Sequence, residues 1–138
     1  MPPPQYPHSI LFRAQPLQAE QQAARLHAAG RLAAEGERVL LAWGGLAPAT
    51  IPDGVTLWLL PVAWARAESP GLILNAQGQP VDHAWKKRRA AALLGLFAKM
   101  APHLIVLDMA APGFRFELEP LTAIARRRSP APTIETMT

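Results

Sequence analysis

The stretch that decides the fold opens with Ser9-Ile10-Leu11-Phe12-Arg13-Ala14 and closes with Arg38-Val39-Leu40-Leu41-Ala42-Trp43 followed by Gly44-Gly45. Both apolar runs are short and end at turn-forming residues, Gln15-Pro16 for the first and the glycine pair for the second, as strands do. Between them, residues 17–35 are spaced as a helix. Ala23, Leu26, Gly30 and Ala33 recur on one face, with Glu and Arg opposite. Gly36 follows the last periodic residue, where a helix C-cap belongs. Strand, helix and strand with short connections make a βαβ unit, and two strands joined this way are parallel with a right-handed crossover.

Working outward, Val55-Thr56-Leu57-Trp58-Leu59-Leu60 reads as a third strand after the Pro52-Asp53-Gly54 turn. Residues 61–80 read as an irregular segment broken by Pro61, Pro70, Gly71, Gly78 and Pro80, with a brief pairing by Leu72-Ile73-Leu74. A loop of that length inside a compact domain is often functional. Asp82 is placed to N-cap a helix running to about Met100, whose apolar face is Trp85, Ala92, Leu93, Leu96, Phe97 and Met100. Pro102 ends it. His103-Leu104-Ile105-Val106-Leu107-Asp108 is the most apolar strand and is expected at the centre of the sheet. Residues 114–128 read as a last helix with Pro120 in its first turn, and Thr133-Ile134-Glu135-Thr136 begins a further strand.

The element order predicts an α/β fold, a three-layer Rossmann-like domain with a mainly parallel sheet. At 138 residues the chain holds one domain, assigned to residues 9–138 behind a Pro-rich extension of residues 1–8. Half the residues are hydrophobic, enough for a core. There is no cysteine, hence no disulfide, thiolate metal site or cysteine nucleophile. No signal peptide or membrane span is expected from the sequence, and the expected location is cytoplasmic, with a peripheral membrane contact as its variant.

Sheets of this kind present ligands to the carboxyl ends of their strands. The loop after the first strand carries no glycine and contains Glu20, so it lacks the pyrophosphate-binding fingerprint. No Gly-Lys-Ser/Thr occurs, which excludes a P-loop. His8, His27, His83 and His103 form no ligand motif, and Ser9, Ser69 and Ser129 sit on no nucleophile turn. Neither a metal nor a cofactor is expected. Asp108 ends a strand and either meets a ligand or caps the following loop through backbone N–H groups. Gly44 and Gly45 either admit a ligand close to the backbone or make a tight turn.

The net charge of +4 gathers in two clusters, Lys86-Lys87-Arg88-Arg89 and Arg126-Arg127-Arg128. The first opposes the dipole of its helix and reads either as a solvated face or as a contact for anionic lipid or phosphate. The second suits a helix C-terminus. The four tryptophans, Trp43, Trp58, Trp64 and Trp85, do not interleave with basic residues as in a nucleic-acid platform, so no nucleic-acid partner is expected. Core packing accounts for most of them, with Trp64 as the exception free to meet a ligand or partner.

Three pieces together resemble the N-terminal half-domain of GT-B glycosyltransferases, in particular a bacterial group of predicted glycosyltransferases related to the enzyme that forms the lipid-linked disaccharide of peptidoglycan. They are the opening βαβ unit ending in Gly44-Gly45, Gln79-Pro80-Val81-Asp82 leading into Trp85-Lys86 and Arg88-Arg89, and Phe114-Arg115-Phe116-Glu117-Leu118 followed by Pro120-Leu121. The similarity spans roughly residues 9–134. It implies an acceptor-side domain; a ligand site in it would be lined by Gln15, Gln21, Gly44, Gly45 and Asp108, which cluster at strand carboxyl ends. The family's Gly-x-Gly-His loop is replaced here by Gln18-Ala19-Glu20-Gln21, with Gln21 where the histidine would stand. Glutamine is no base at neutral pH. No catalytic residue is therefore assigned, and the resemblance implies a partner: a separate donor-binding chain. The competing reading is an interaction module that self-associates or pairs through an exposed sheet edge near residues 133–136.

Overall fold

The computed structural model describes residues 9–138; the Pro-rich extension assigned to residues 1–8 lies outside the described residues. The strands β1 (Ser9–Ala14), β2 (Arg38–Trp43), β3 (Val55–Leu59), β6 (Leu104–Asp108) and β7 (Thr133–Met137) form one five-stranded sheet in the order β3-β2-β1-β6-β7. Every pairing in it is parallel. β4 (Trp64–Arg66) and β5 (Ser69–Leu74) form a separate antiparallel hairpin. The helices are α1 (Ala19–Ala34), α2 (His83–Met100) and α3 (Arg115–Arg127). The expected α/β three-layer Rossmann-like fold with a parallel sheet is the observed one.

Alternation along each strand divides the core in two. Ile10, Phe12, Val39, Leu41, Val55 and Val106 face α1. Leu11, Ala42, Ile105 and Leu107 face α2 and α3 with Leu93, Phe97 and Leu121. Burying each of these larger aliphatic side chains stabilises the fold by roughly 1.5–3 kcal/mol. β1, not β6, occupies the middle, and all six of its residues are buried. Both expected helix signals on α2 are used. The Asp82 side chain accepts the Trp85 N–H at 2.8 Å, and the helix ends at Ala101, in the left-handed region, before Pro102.

Three details differ from the sequence reading. Residues 61–80 are not an irregular loop. They carry the β4–β5 hairpin, in which the Trp64 indole N–H donates to the Asn75 carbonyl at 2.8 Å. Trp64 is thus a pin inside the hairpin, and the exposed tryptophan is Trp58. Pro120 lies in the second turn of α3, not the first, so the Phe116 carbonyl receives no backbone N–H from it. Ala23 is exposed, whereas Arg25 and Ala29 are the buried residues of α1. The helix is rotated toward a charged partner described below.

The chain runs from β1 through α1 to β2, and from β6 through α3 to β7, in opposite directions across the sheet. The topological switch therefore lies between β1 and β6, and the crevice outside their carboxyl ends is the ligand position of this architecture. No helix among the described residues is long and apolar enough to cross a membrane.

Candidate functional site

The crevice is full of the protein's own polar side chains. Arg13, Gln15, Arg89, Asp108 and Glu117 have no measurable exposure, and Arg25 reaches in from α1. Arg13 is the one charged residue of β1, and the alternation that turns Leu11 toward α2 and α3 turns Arg13 the same way. Its guanidinium donates to the Asp108 carbonyl at 2.8 Å and to Glu117 Oε1 at 3.0 Å. Glu117, in the first turn of α3, also pairs with Arg89 at 3.2 Å. A carboxylate there gains from the helix dipole as well as from two guanidiniums. Arg89 falls on the buried face of α2 with Trp85, Leu93 and Leu96. It donates to the Pro61 carbonyl at 2.8 Å and to Gln15 Oε1.

Aromatic rings close the space around these charges. Arg13 stacks 5.0 Å from the Phe114 ring centre, and Arg89 lies 5.3 Å from the same ring and 5.7 Å from that of Trp85. Such contacts favour a desolvated guanidinium. Burial nevertheless lowers the Arg89 pKa to about 10; the Glu117 charge works against that fall and the Arg13 charge adds to it. Arg89 remains a cation at neutral pH.

Asp108 anchors the other half. Its carboxylate accepts from Arg25 at 2.9 Å and from the Gln15 and Ala110 backbone N–H groups at 3.0 Å each. Burial pushes its pKa up, but the Arg25 bond and the two backbone bonds outweigh burial and hold it below the ordinary carboxylate value. Of the two roles open to Asp108, loop capping is the one its bonds perform.

The segment after β3 seals the crevice. The Leu60 and Ala63 N–H groups bond the Trp43 and Gly44 carbonyls, each at 2.9 Å. The Ala63 carbonyl in turn accepts from the Gln15 amide at 2.9 Å. Ile73 of the hairpin reaches the buried cluster around Phe114. A Cβ on Gly44 would lie 2.0 Å from Gln15 Oε1 and 2.2 Å from an Arg89 nitrogen. Glycine is needed there because those two side chains are fixed by their other bonds.

Of the five residues assigned to the site, Gln15, Gly44 and Asp108 converge. Gly45 is buried against Pro16 rather than opening onto the crevice. Gln21 is not in it: its side chain accepts the Leu17 N–H at 2.9 Å and shapes the entry to α1. The basic run must be corrected too. Lys86, Lys87 and Arg88 reach the surface to different degrees, but Arg89 is wholly interior, so no anionic partner can meet all four. Arg13, Arg25, Arg89 and Glu117 were missed. Part of the signal was present, since Arg89 stands four residues after Trp85 and four before Leu93, on the apolar face.

The arrangement holds three guanidiniums and two carboxylates, with strand-end and loop carbonyls taking up the excess positive charge. It presents no nucleophile, and no group of residues able to hold a metal occurs among the described residues. Two grooves of about 440 Å³ each lie elsewhere, one between α1 and Ile51-Pro52, the other between α3 and β7. No family model matches the chain, and no characterised protein or solved structure gives a significant match.

Proposed function

We propose that this chain is a binding domain with no catalysis of its own, of the kind the sequence resemblance implies: the acceptor-side half of a glycosyl-transfer unit, inert until a separate donor-binding chain joins it. One observation carries the non-catalytic part. The crevice where this architecture takes its ligand is occupied by Gln15, Arg13, Arg89 and Glu117 and closed by the carbonyls of Pro61 and Ala63. The glycosyl-transfer part rests on the resemblance alone. Its most specific piece, Phe114 to Leu121, supplies Phe114 and Glu117 to the sealed network.

The test is turnover and binding by the isolated chain. Titration with uridine diphosphate sugars should give no heat and no change in melting temperature, and no nucleotide should be released in the presence of lipid-linked or soluble sugar acceptors. Release of nucleotide by the 138-residue chain alone overturns the reading. A contact with anionic lipid, if it occurs, would use Lys86, Lys87 and Arg88 without Arg89.

A further inference from the structure

The two edges of the sheet are built differently. β7 carries Glu135, exposed, and follows Pro132. A charge on an edge strand discourages pairing with another chain. β3 has no such device. Its five residues are Val55, Thr56, Leu57, Trp58 and Leu59, with no charge, no proline and no irregularity in its register with β2. Among the described residues no strand pairs its outer side.

The connection that leads into β3 explains what is left bare on the α1 face. Parallel neighbours are usually joined by a helix that covers the sheet. Here β2 and β3 are joined by residues 44–54 with no helix. Leu59 lies in register with Trp43 on the α1 face, yet is 53% exposed. Trp58, on the opposite face, is 44% exposed. Seven large apolar side chains are exposed among the described residues, and four of them, Leu46, Ile51, Trp58 and Leu59, belong to this loop and strand. Isolated exposed apolar residues need no explanation, but a cluster beside an open strand edge does.

We infer that β3 is a self-association edge, and that two copies of this chain join β3 to β3 in antiparallel fashion to make one continuous sheet. Charge identifies the occupant. Between Arg38 and Arg66 the sequence contains a single charged residue, Asp53, although the chain as a whole carries +4. Two copies can therefore bring these edges together without opposing their net charge at the contact, and each offers the other an uncharged apolar strand. A two-fold axis through Leu57 pairs the whole strand: Thr56 faces the partner's Trp58, Val55 faces the partner's Leu59, and Asp53 falls beyond the paired residues. Such an interface is self-complementary, as a two-fold contact must be. A contact one short strand long belongs among small interfaces, so the dimer should be weak, with Kd in roughly the micromolar range.

This inference deepens the binding-domain reading by naming an edge and a partner, and moves the pairing edge from residues 133–136 to β3. Sedimentation equilibrium of the full chain tests it. Thr56 and Trp58 are both exposed, so the variants should fold, which circular dichroism checks. Thr56→Lys with Trp58→Lys places like charges opposite each other twice across the axis and should raise Kd at least about tenfold. Thr56→Glu with Trp58→Lys places opposite charges at the same positions and should dimerise more tightly than the double lysine variant. Glu135→Lys, on the other edge, should leave Kd unchanged. A wild-type chain that stays monomeric at about 1 mM overturns the inference. So do equal Kd values for the two double variants, or a dimer that responds to Glu135→Lys instead. A monomer without turnover sinks the edge pairing alone, whereas a dimer with turnover sinks the non-catalytic reading alone.

Discussion

The crevice between β1 and β6 and the outer edge of β3 invert the usual partition of side chains in opposite senses. The first hides five charged groups where water does not reach. The second leaves Trp58 and Leu59 in water. The crevice tolerates its charges because each is held by a counter-charge, a carbonyl or a ring. The edge keeps Leu59 in water because the loop joining β2 to β3 supplies no helix to cover the α1 face, and Trp58 stands exposed on the other face. The difference teaches that the polar position of this architecture is spent on internal cohesion, while the apolar surplus faces outward. Substitutions in the crevice should therefore move stability, and those on the edge should move association.

The sharpest break of that contrast is Glu117→Ala. It removes the carboxylate shared by Arg13 and Arg89 and leaves both guanidiniums buried without it. Stability should fall by about 3–5 kcal/mol in urea unfolding. Replacing all three residues by apolar ones of similar size, Arg13→Met, Arg89→Met and Glu117→Leu, should recover most of that loss. A loss below about 0.5 kcal/mol for the single variant would mean the network holds nothing together.

Next in size is Asp108→Asn, which weakens three bonds and strands the Arg25 charge, at a cost of about 1.5–3 kcal/mol. It also carries a pH signature. The Asp108 pKa is lowered on folding, so below its unfolded value of 3.8 the unfolded chain binds more protons. Its contribution is thus full at neutral pH and is lost as pH falls below about 4 toward the folded pKa. Stability of the asparagine variant, followed from pH 6 downward, should decline less steeply than that of the wild type. Parallel acid curves would remove Asp108 from the account.

Gly44→Ala should cost about 1–3 kcal/mol, because the methyl group must displace Gln15 or Arg89 from partners they already hold. A neutral result would show that the seal has room. The smallest expected change lies on the other side of the comparison. Thr56→Lys should shift the stability of the dilute monomer by no more than about 0.5 kcal/mol, and Trp58→Lys, which gives up the covered half of its ring, by about 1–2 kcal/mol, while both weaken the dimer. A loss of monomer stability above about 3 kcal/mol for Trp58→Lys would return Trp58 to the core and dissolve the contrast.

Much of the fold was legible because it rests on local signals. The βαβ opening, the Asp82 cap, the Pro102 stop and the β7 strand are written in short windows of apolar spacing and turn chemistry. Of the β4–β5 hairpin only the pairing of Leu72-Ile73-Leu74 was legible, because both strands are short and β5 contains Pro70 and Gly71. Its pairing depends on the Trp64 to Asn75 bond and on Ile73 reaching the core. Within the candidate site, Asp108, Gln15 and Gly44 were found because strand ends are visible in sequence. Gln21 was misplaced, since the direction of its side chain depends on how the turn into α1 closes.

The sequence by itself determined the succession of elements, the parallel sheet and where its strands end, since each follows from spacing within a few residues. Only the tertiary structure decided what occupies that point. Arg13, Arg25, Arg89 and Glu117 come from four different elements, and a charge reads as a surface residue until another element brings its counter-charge against it. It alone decided, too, which strands became edges. Strand order is set by how the helices pack across the sheet, and no local pattern records that β3 would have no neighbour on its outer side among the described residues.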